Sequence, residues 1–501
     1  MLSITEPTSF AACPQSFNLA AYVLAGSGAP DDKIALAVLA LSGAERWSYG
    51  KLRAAALGTG TGLLAAGLKP GDRVMLRLGN TVDFPLAFLG AIAAGLVPVP
   101  TSSQLTAPEA GKLAQIVQPA AILQAPEVAA PTGDWRAIPL TDLRAMRDCA
   151  PVAPAMGDAD RLAYIIFTSG TSGTPRAVCH AHRVVWARRM MWQGWYDLTA
   201  NDRLLHAGAF NWSFTLGTGM MDPWACGATA LIPADGTDPK ALPLLLKRHD
   251  ATLLAAAPGV YRKFLKDHPS LSLPKLRHGL CAGEKLPEAL RTAWFGATGT
   301  GLYEAYGQTE ISTFISGSPA RPSAAGTLGA PQDGRLVAIV DDNGQPVSRG
   351  TAGTIAIDHR DPGLMLGYLD APEATAEKRR GPWFLTGDQG IMGEDGFITY
   401  QGRDDDLMNA GGFRVSPLEV EAALAHFEGL HEIAVTDVEI RPDVRVIAAF
   451  YTAETELDQS ALTAYAEAQL ARYKQPRVWV RLAELPRNPN GKLRRKDLKL
   501  S

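Results

Sequence analysis

The stretch FTSGTSGTPR at residues 167–176 is the most informative part of the chain. It contains three threonines, two serines and two glycines, and no bulky side chain stands between Thr168 and Pro175. The apolar run LAYIIF at residues 162–167 precedes it and has the length of a buried strand. A strand that ends in a small, hydroxyl-rich loop predicts backbone N–H groups and hydroxyls arranged around an anion, most often a phosphate.

Two other interpretations of this loop fit the sequence less well. A P-loop NTPase requires G-x-x-x-x-G-K-[ST], and counting from Gly170 puts Pro175 and Arg176 where the second glycine and the lysine should stand. A flexible Ser/Thr/Gly linker is the other interpretation, and the buried strand directly before the loop argues against it. The residues alone therefore favour phosphate binding over a structural turn.

The composition is that of a soluble globular enzyme. A chain of 501 residues predicts more than one domain, and 47% hydrophobic and 20% charged residues are ordinary values. The net charge of −3 gives no general reason to bind nucleic acid or anionic membrane, so we expect neither partner. The most apolar stretch, residues 85–100, is broken by glycines and proline and is too short to span a bilayer. The first residues lack the pattern of a signal peptide.

The cysteines indicate a reducing environment. Five are present, widely scattered and odd in number, which argues against a disulfide framework and predicts a cytoplasmic location. Residues 179–182, with the sequence CHAH, lack a second ligand pair at zinc-like spacing. We therefore expect a buried strand and the start of a helix there, and no metal site.

Helical and strand patterns alternate over residues 1 to about 155. Helices are predicted at residues 49–66 and 81–96, strands at residues 73–78 and 120–123, and an extended segment at residues 97–100. This alternation predicts an α/β fold with a mainly parallel, wound sheet flanked by helices. Strands near residues 433–438 and 444–451 predict a small α+β unit at the carboxyl end.

The sequence YIIFTSGTSGTPRAV, residues 164–178, resembles the signature of the adenylate-forming (ANL) superfamily, which includes acyl- and aryl-CoA synthetases, peptide-synthetase adenylation domains and luciferases. The usual ending is Pro-Lys-Gly, whereas this chain has Arg176 in the place of the lysine, a planar fork instead of a compact ammonium. The resemblance implies an ATP-phosphate site formed by Thr168, Ser169, Gly170, Thr171, Ser172, Gly173, Thr174 and Arg176.

Two segments further along resemble the substrate-binding parts of this superfamily. HAGAFNWSFTLG at residues 206–217 matches the aromatic gate of the superfamily. The alternating aromatic residues are explained equally well by packing in the core, with the segment forming a strand or a turn. The resemblance implies an acyl pocket lined by Phe210, Asn211, Trp212 and Phe214. AGEKLP at residues 282–287 resembles the adenine-binding edge of the superfamily, which implies that Gly283 and Glu284 bind the nucleotide. The form of this motif is nearest to that of benzoate-CoA ligases.

LYEAYGQTE at residues 302–310 predicts a strand and a turn that place a hydroxyl beside a carboxylate. Mg²⁺, which ATP chemistry requires, takes oxygen ligands including carboxylates. The resemblance implies that Glu310 is the catalytic acid on the metal side, that Thr309 lies near the α-phosphate, and that Tyr306 and Gly307 belong to the adenine pocket. Taken alone, Thr-Glu is also compatible with a helix cap.

The last third of the chain carries three further matches. In WFLTGD, residues 383–388, the resemblance makes Asp388 the acceptor of hydrogen bonds from the ribose hydroxyls, and a β-turn aspartate is the alternative. In QGRDDD, residues 401–406, Arg403 falls on the ribose side and Asp405 on the hinge residue. NAGGFRV, residues 409–415, resembles the loop of the second half-reaction, whose Gly411 and Gly412 would let a pantetheine arm pass.

LPRNPNGKLRRKDL at residues 485–498 matches the superfamily's lysine motif, which makes Lys492 the cation that reaches both the substrate carboxylate and the phosphate.

The resemblance implies a large N-terminal domain of wound β-sheets with flanking helices (residues 1–402), a hinge (403–406) and a small mobile α+β domain (407–501). It implies a ligase that forms acyl-AMP from ATP and an aryl or short- to medium-chain carboxylic acid, releases pyrophosphate and transfers the acyl group to CoA.

The sequence leaves other activities and the oligomeric state open. The chain could load a carrier protein, stop at or oxidise the adenylate as luciferases do, or bind a nucleotide without catalysis. A turnover test with CoA and with a carrier protein separates the first of these from a CoA ligase. A homodimer is compatible with the sequence, which does not fix the oligomeric state.

Overall fold

The computed structural model of the chain describes residues 1–6, 9–168, 175–403, 408–410, 413–441, 444–470, 472–488 and 491–500. They form two compact units. The smaller unit consists of Met1–Thr5, Val337–Ile357 and Trp383–Ser501, and the larger unit of Glu6–Leu336 and Asp358–Pro382. The domain boundaries at residues 402 and 407 stay predictions.

Strands and helices are numbered in chain order. The strands are β1 Ser16–Phe17, β2 Ile34–Ala40, β3 Gly43–Ser48, β4 Arg73–Arg77, β5 Val97–Pro100, β6 Ala121–Gln124, β7 Ala137–Pro139, β8 Gly157–Asp158, β9 Leu162–Thr168, β10 Arg176–Ala181, β11 Arg203–His206, β12 Thr229–Pro233, β13 Leu253–Ala256, β14 His278–Ala282, β15 Gly301–Gln308, β16 Ser312–Ser316, β17 Ala330–Pro331, β18 Val337–Val340, β19 Ala352–Asp358, β20 Gly367–Tyr368, β21 Arg379–Arg380, β22 Trp383–Met392, β23 Ile398–Arg403, β24 Met408–Ala410, β25 Phe413–Val415, β26 Glu432–Arg441, β27 Val444–Thr452 and β28 Val478–Arg481. The α-helices are α1 Leu19–Ala25, α2 Tyr49–Ala65, α3 Asp83–Ala93, α4 Ala107–Val117, α5 Leu140–Ala145, α6 Val184–Ala187, α7 Ser213–Leu216, α8 Asp222–Cys226, α9 Leu242–Arg248, α10 Pro258–Asp267, α11 Glu288–Thr298, α12 Pro372–Ala376, α13 Pro417–Leu424 and α14 Gln459–Gln469.

The largest sheet of the larger unit has the strand order β17-β16-β15-β14-β13-β11-β12-β2-β3 over the described residues. Its central strands, from β15 to β2, are parallel, and β3, β16 and β17 add antiparallel edges. Parallel strands covered by helices on both faces are apolar almost throughout. Fully buried leucines of this sheet are Leu36, Leu205, Leu231, Leu254 and Leu280. The expected α/β fold is confirmed.

A second, parallel sheet has the order β5-β4-β6-β7, and a third, antiparallel sheet joins β20, β10 and β9. The helices predicted at residues 49–66 and 81–96 are α2 and α3, and the predicted strands at 73–78 and 120–123 are β4 and β6. In the third sheet, β9 and β10 form a hairpin whose ends, Thr168 and Arg176, are paired across the base of the predicted phosphate loop.

The smaller unit contains the antiparallel neighbours β18 and β19, the antiparallel pair β22 and β23, and a sheet of β26, β27 and β28. Helix α13 begins as predicted, because Ser416 Oγ accepts the Glu419 N–H at 3.4 Å and Pro417 occupies the first turn. The strands predicted near residues 433–438 and 444–451 are β26 and β27. Their apolar faces share a core that includes Val420, Leu424, Val435, Ile447, Tyr451 and Leu462. Across the described ranges, no helix is both long and apolar enough to cross a bilayer.

Candidate active site

The base of the predicted phosphate loop is held by the hairpin of β9 and β10. Thr168 ends β9, Arg176 begins β10, and their Cα atoms are partners in the antiparallel register. Behind them, Ile165 and Ile166 are buried, which anchors the hairpin in the core. The other residues predicted to bind phosphate, 169–174, lie outside the described residues. Their role stays a prediction.

A tight turn at the carboxyl end of β15 presents Thr309 and Glu310. The chain reverses into β16, so the helix-cap alternative for Thr-Glu is wrong. The reversal requires glycine at position 307, because a Cβ there would lie 1.9 Å from the carbonyl oxygen of Ser312. Ser312 itself adopts a left-handed backbone with φ of 70°. The turn is therefore fixed by its backbone on both sides of the two functional residues.

The Glu310 carboxylate is held by a tyrosine that the sequence did not indicate. Tyr368, at the end of β20, donates a hydrogen bond from Oη to Glu310 Oε1 at 2.7 Å. The guanidinium carbon of Arg176 lies 5.0 Å from the centre of the Tyr368 ring. Burial raises the pKa of Tyr368 above its usual value and the negative charge of Glu310 raises it further, whereas Arg176 lowers it. The phenol is therefore a proton donor at neutral pH.

A buried histidine supports the same turn from β10. The ring of His180 stacks on Tyr164 with centroids 4.8 Å apart and hydrogen-bonds the backbone of Thr309. Burial lowers the pKa of His180 to about 3, so the ring is neutral. His182 Nδ1 accepts the N–H of Leu19 at 2.9 Å, as expected for a structural position. Among the described residues, no three His, Cys, Asp or Glu side chains are grouped so as to hold a metal ion.

The predicted adenine edge lies beside this turn in the sheet. Strands β14 and β15 are parallel neighbours, so Gly283 after β14 and Tyr306 near the end of β15 lie at the same edge. In open α/β sheets, ligands bind outside the carboxyl ends of the strands. Gly283 has a left-handed backbone with φ of 97°. Glu284 Oε2 lies 3.9 Å from Arg262 Nη2, and the Tyr306 ring packs on the Phe314 ring with centroids 5.4 Å apart. This placement is consistent with a nucleotide site, and the contact of these residues with adenine stays a prediction.

The aromatic segment after β11 forms a turn and the short helix α7, so of the two predicted shapes the strand is wrong. Trp212 and Phe214 pack edge to face, 5.1 Å apart, and the Phe214 ring lies 4.4 Å from the ring of His206. Phe210 instead stacks on Phe84 at 5.3 Å. Core packing is therefore part of the explanation for Phe210 and Phe214, which are 1% and 8% exposed. Lining of an acyl pocket by these residues and by the half-buried Asn211 stays a prediction.

Two residues missed by the sequence analysis hold this segment in place. His206 Nδ1 accepts the N–H of Gly208 at 3.0 Å, and burial lowers the pKa of His206 to about 3. Asn80 Oδ1 accepts the N–H of Phe210 at 2.9 Å, and its amide nitrogen donates to the Gly208 carbonyl at 3.2 Å. The histidine was visible in the motif, whereas Asn80 lies far away in sequence and carried no signal.

A buried ion pair lies next to the same segment. Arg188 Nε and Nη2 donate to the two carboxylate oxygens of Asp222 at 2.8 and 2.6 Å, and Tyr196 Oη donates to Asp222 at 2.8 Å. Burial alone would lower the pKa of Arg188, but the adjacent Asp222 raises it overall. Arg188 also donates to the Ser312 hydroxyl. The pair therefore connects α8 with the turn that carries Glu310.

In the smaller unit, Asp388 and Arg403 lie close together. Asp388 lies within β22, so the β-turn alternative is wrong, and it faces Arg403 of β23 with Arg403 Nε 4.0 Å from Asp388 Oδ1. Tyr400 Oη donates to the same oxygen at 3.2 Å, and the Thr386 hydroxyl accepts the Asp388 N–H at 3.1 Å. The contact of Asp388 and Arg403 with ribose stays a prediction.

Lys492 lies in a loop of the smaller unit, and the main chain of Lys492 is hydrogen-bonded to Asn488 at the start of that loop. Its N–H donates to Asn488 Oδ1 at 2.9 Å, and its carbonyl accepts the Asn488 N–H at 2.8 Å. The predicted hinge residue Asp405 and the predicted channel residues Gly411 and Gly412 lie outside the described residues. The roles of these four residues stay predictions.

The residues of the β15–β16 turn fit the Mg²⁺ ion that the resemblance implies. Mg²⁺ is commonly bound through one or two carboxylates together with substrate phosphates and water. Glu310 supplies such a carboxylate, with Oε1 engaged by Tyr368, and the hydroxyl of Thr309 is next to it in the chain. These hard oxygen donors suit the ion.

Comparison with known proteins assigns the family. Residues 25–369 match the AMP-binding enzyme family and residues 419–492 match the AMP-binding enzyme C-terminal domain. The chain is 31% identical over 482 residues to 4-hydroxybenzoate–CoA/benzoate–CoA ligase of Rhodopseudomonas palustris, and this match covers 89% of this chain and 88% of the relative. It is 30% identical over 468 residues to the mitochondrial acyl-coenzyme A synthetase ACSM2A of Homo sapiens, over 87% of this chain and 81% of the relative.

The fold agrees with these sequence matches. A benzoate CoA ligase from Burkholderia xenovorans superposes with a TM-score of 0.84 at 26% identity, over 96% of this chain and 99% of that structure. The predicted resemblance to adenylate-forming enzymes, with benzoate-CoA ligases among the similar proteins, is therefore confirmed. The chain belongs to the AMP-binding enzyme family.

Proposed function

We propose that this chain is an AMP-forming acid–thiol ligase that converts a carboxylic acid to its CoA thioester. The observation that carries the proposal is the similarity of more than four fifths of the chain to CoA ligases at 30–31% identity. The carboxylate oxygen of the acid attacks the α-phosphorus of ATP and pyrophosphate leaves, which gives acyl-AMP. The sulfur of CoA then attacks the acyl carbon, AMP leaves, and the thiol proton passes to solvent.

The first step requires two anions to meet, and the roles proposed for the charged residues follow from that. Lys492 offsets the repulsion between the acid carboxylate and the α-phosphate and stabilises the charge that develops on the phosphate oxygens. Arg176 and the hydroxyl-rich residues 168–174 hold the phosphates of ATP. Glu310 and Thr309 would hold Mg²⁺, which neutralises phosphate charge when it is bound.

Further residues orient the rest of the nucleotide and admit CoA. Asp388 and Arg403 bind the ribose, and Gly283, Glu284, Tyr306 and Gly307 form the adenine pocket. Both half-reactions must exclude water, because acyl-AMP is labile to hydrolysis. The predicted hinge at residues 403–406 would let the carboxyl-terminal residues change position between them, and Gly411 and Gly412 would then border the pantetheine arm.

The proposed acid is an aryl acid or a short- to medium-chain acyl acid. The benzoate-type ligase and the acyl-coenzyme A synthetase to which the chain is similar support these two classes. Trp212 and Phe214 provide aromatic surface next to His206, which suits a flat or short apolar group. We also propose that the enzyme acts in the cytoplasm and forms a homodimer.

A test of this function compares acceptors. The enzyme is incubated with ATP, Mg²⁺ and benzoate, 4-hydroxybenzoate or octanoate, with either CoA or a phosphopantetheinylated carrier protein as acceptor. We expect a CoA thioester of at least one acid and a stoichiometric amount of AMP. Acylation of the carrier with no CoA thioester would contradict the proposal and assign the chain to the carrier-loading class.

A further inference from the structure

We infer that Tyr368 is a positioning residue that couples Arg176 to Glu310, so that the phosphate-loop arginine and the metal-side carboxylate are oriented through one side chain. The inference rests on the proposed function. It also gives the planar guanidinium at position 176 an aromatic face to stack on.

The backbone fixes Tyr368 against the strand that begins with Arg176. In the antiparallel register of β10 and β20, Tyr368 is the partner of Val178. The N–H of Leu369 donates to the Ala177 carbonyl at 2.8 Å, and the Tyr368 N–H donates to the hydroxyl of Thr375 at 3.0 Å. Hydrogen bonds on both sides therefore restrict where the tyrosine ring can lie.

The hydroxyl of Tyr368 orients the carboxylate of Glu310. The Oη–Oε1 distance of 2.7 Å is that of a strong hydrogen bond to a charged acceptor. The backbone of the turn is tied to the same segment, because the Met365 N–H donates to the Glu310 carbonyl at 2.7 Å. With the main chain and Oε1 both held, the Glu310 carboxylate presents Oε2 to a ligand in a defined direction.

The ring of Tyr368 orients Arg176. A planar guanidinium stacks on an aromatic face more effectively than an ammonium does, and the 5.0 Å separation lies within the range of cation–π contacts. The stacked arginine stands opposite Thr168 at the base of the loop. The Tyr368 hydroxyl also accepts a hydrogen bond from Arg176, so it meets both charged residues, whereas the stacking surface for the guanidinium comes from the ring alone.

Two substitutions and one matched control test the inference. Tyr368→Phe removes the hydroxyl and keeps the ring, and Tyr368→Leu removes both. The control is Tyr49→Phe, which deletes the hydroxyl of a buried tyrosine whose Oη donates to the Ala228 carbonyl at 2.6 Å. Each protein is examined by pyrophosphate exchange, by calorimetric titration with ATP in the presence and absence of Mg²⁺, and by thermal unfolding.

We expect Tyr368→Phe to lower the kcat of exchange by about tenfold to a hundredfold, which is the effect of losing one hydrogen bond to a charged group. The KM for ATP should rise less in this variant than in Tyr368→Leu, because Arg176 loses a hydrogen bond but keeps its stacking surface. The factor by which Mg²⁺ strengthens ATP binding should fall in the same variant. Tyr368→Leu should raise the KM for ATP further, because Arg176 loses its stacking surface as well. Tyr49→Phe should leave the kcat and the Mg²⁺ factor at wild-type values.

The double variant Tyr368→Phe/Glu310→Gln distinguishes positioning from general damage. If Tyr368 acts through Glu310, the double variant loses no more activity than Glu310→Gln alone. Additive losses, or a Mg²⁺ factor in Tyr368→Phe equal to that of wild type, would refute the inference. The titrations need no carboxylic acid, so they test the coupling even if wild-type exchange fails and the proposed function is wrong.

Discussion

Asp388 and Arg403 face each other across two antiparallel strands, with Arg403 Nε 4.0 Å from Asp388 Oδ1. The aspartate is 4% exposed, and its oxygen also accepts a hydrogen bond from Tyr400. A carboxylate held on a strand in this way is pre-organised as a hydrogen-bond acceptor. This arrangement supports the proposed ribose contact and makes it testable.

Replacing Asp388 should abolish discrimination between ATP and 2′-deoxy-ATP. If the carboxylate accepts a hydrogen bond from the 2′-hydroxyl, wild type should prefer ATP in kcat/KM by about tenfold or more. Asp388→Ala should use both nucleotides equally poorly. Tyr400→Phe leaves the carboxylate in place and should retain the preference, even where it lowers the overall activity. Equal discrimination in Asp388→Ala and wild type would show that the aspartate does not contact the ribose.

Replacing Lys492 should affect one half-reaction only. We expect Lys492→Ala to slow adenylate formation by about two to three orders of magnitude, because it removes the cation between the two anions. Thioester formation from a supplied acyl-AMP should largely survive. The exposed Lys499, in the same carboxyl-terminal tail, provides the control Lys499→Ala, for which both rates should be unchanged. A similar loss in both half-reactions would mean that Lys492 has another role.

The Arg188–Asp222 pair should be important for stability. The side chains of Arg188 and Asp222 are 6% and 1% exposed, so Arg188→Met leaves a buried carboxylate without its positively charged partner. We expect the free energy of unfolding in urea to fall by about 3–5 kcal/mol. The exposed pair Arg494–Asp497 is the comparison, and Arg494→Met should cost about 1 kcal/mol or less. Equal effects at the two sites would contradict the importance given to burial.

Stability should decrease as the medium is acidified. The pKa values of His180, His182 and His206 are lowered to about 3, mainly by burial, whereas histidine in an unfolded chain titrates at about 6.5. Between these two pH values the unfolded chain binds protons that the folded chain does not. The free energy of unfolding is therefore fully retained above about pH 6.5 and falls as the pH drops towards about 3.

The expected loss in the free energy of unfolding from pH 7 to pH 5 is on the order of 1–2 kcal/mol for each of these three histidines, measured by urea unfolding at both pH values. His206→Gln should reduce the loss in unfolding free energy between pH 7 and pH 5 by the amount that one histidine contributes. His426 is exposed, and His426→Gln is the control that should leave the pH dependence unchanged. An unchanged dependence in His206→Gln would show that the buried imidazole does not titrate on unfolding.

Local pattern was sufficient to predict much of the framework. The strand of residues 162–167, the helix at 49–66 and the cap at Ser416 depend on neighbouring residues, and all three are present. The turn at Thr309 and Glu310 was predictable because Gly307 precedes it and a β-strand pattern leads into it. The alternating aromatic pattern of Phe210, Trp212 and Phe214 permitted a strand that the structure does not contain, because the chain enters α7 at Ser213.

Tertiary contacts within the candidate site were not predictable in this way. Tyr368 meets Glu310 from 58 positions away in sequence, and Asn80 meets Phe210 from 130 positions away. His180 was predicted as part of a buried strand, and its bond to Thr309 follows only from the packing of that strand beside the turn. Such partners are set by sheet register and not by neighbouring residues, so one sequence carries no local signal for them.

The most direct measurement is the exchange of labelled pyrophosphate into ATP, dependent on an added carboxylic acid. The panel runs from acetate through octanoate to benzoate and cinnamate, with Lys492→Ala as the matched negative control. We predict exchange with at least one aryl or short- to medium-chain acid, lost in the variant, and a CoA thioester of the same acid when CoA is added. Tight binding of ATP without exchange for any acid in the panel would contradict the account and indicate a nucleotide-binding protein that does not activate carboxylates.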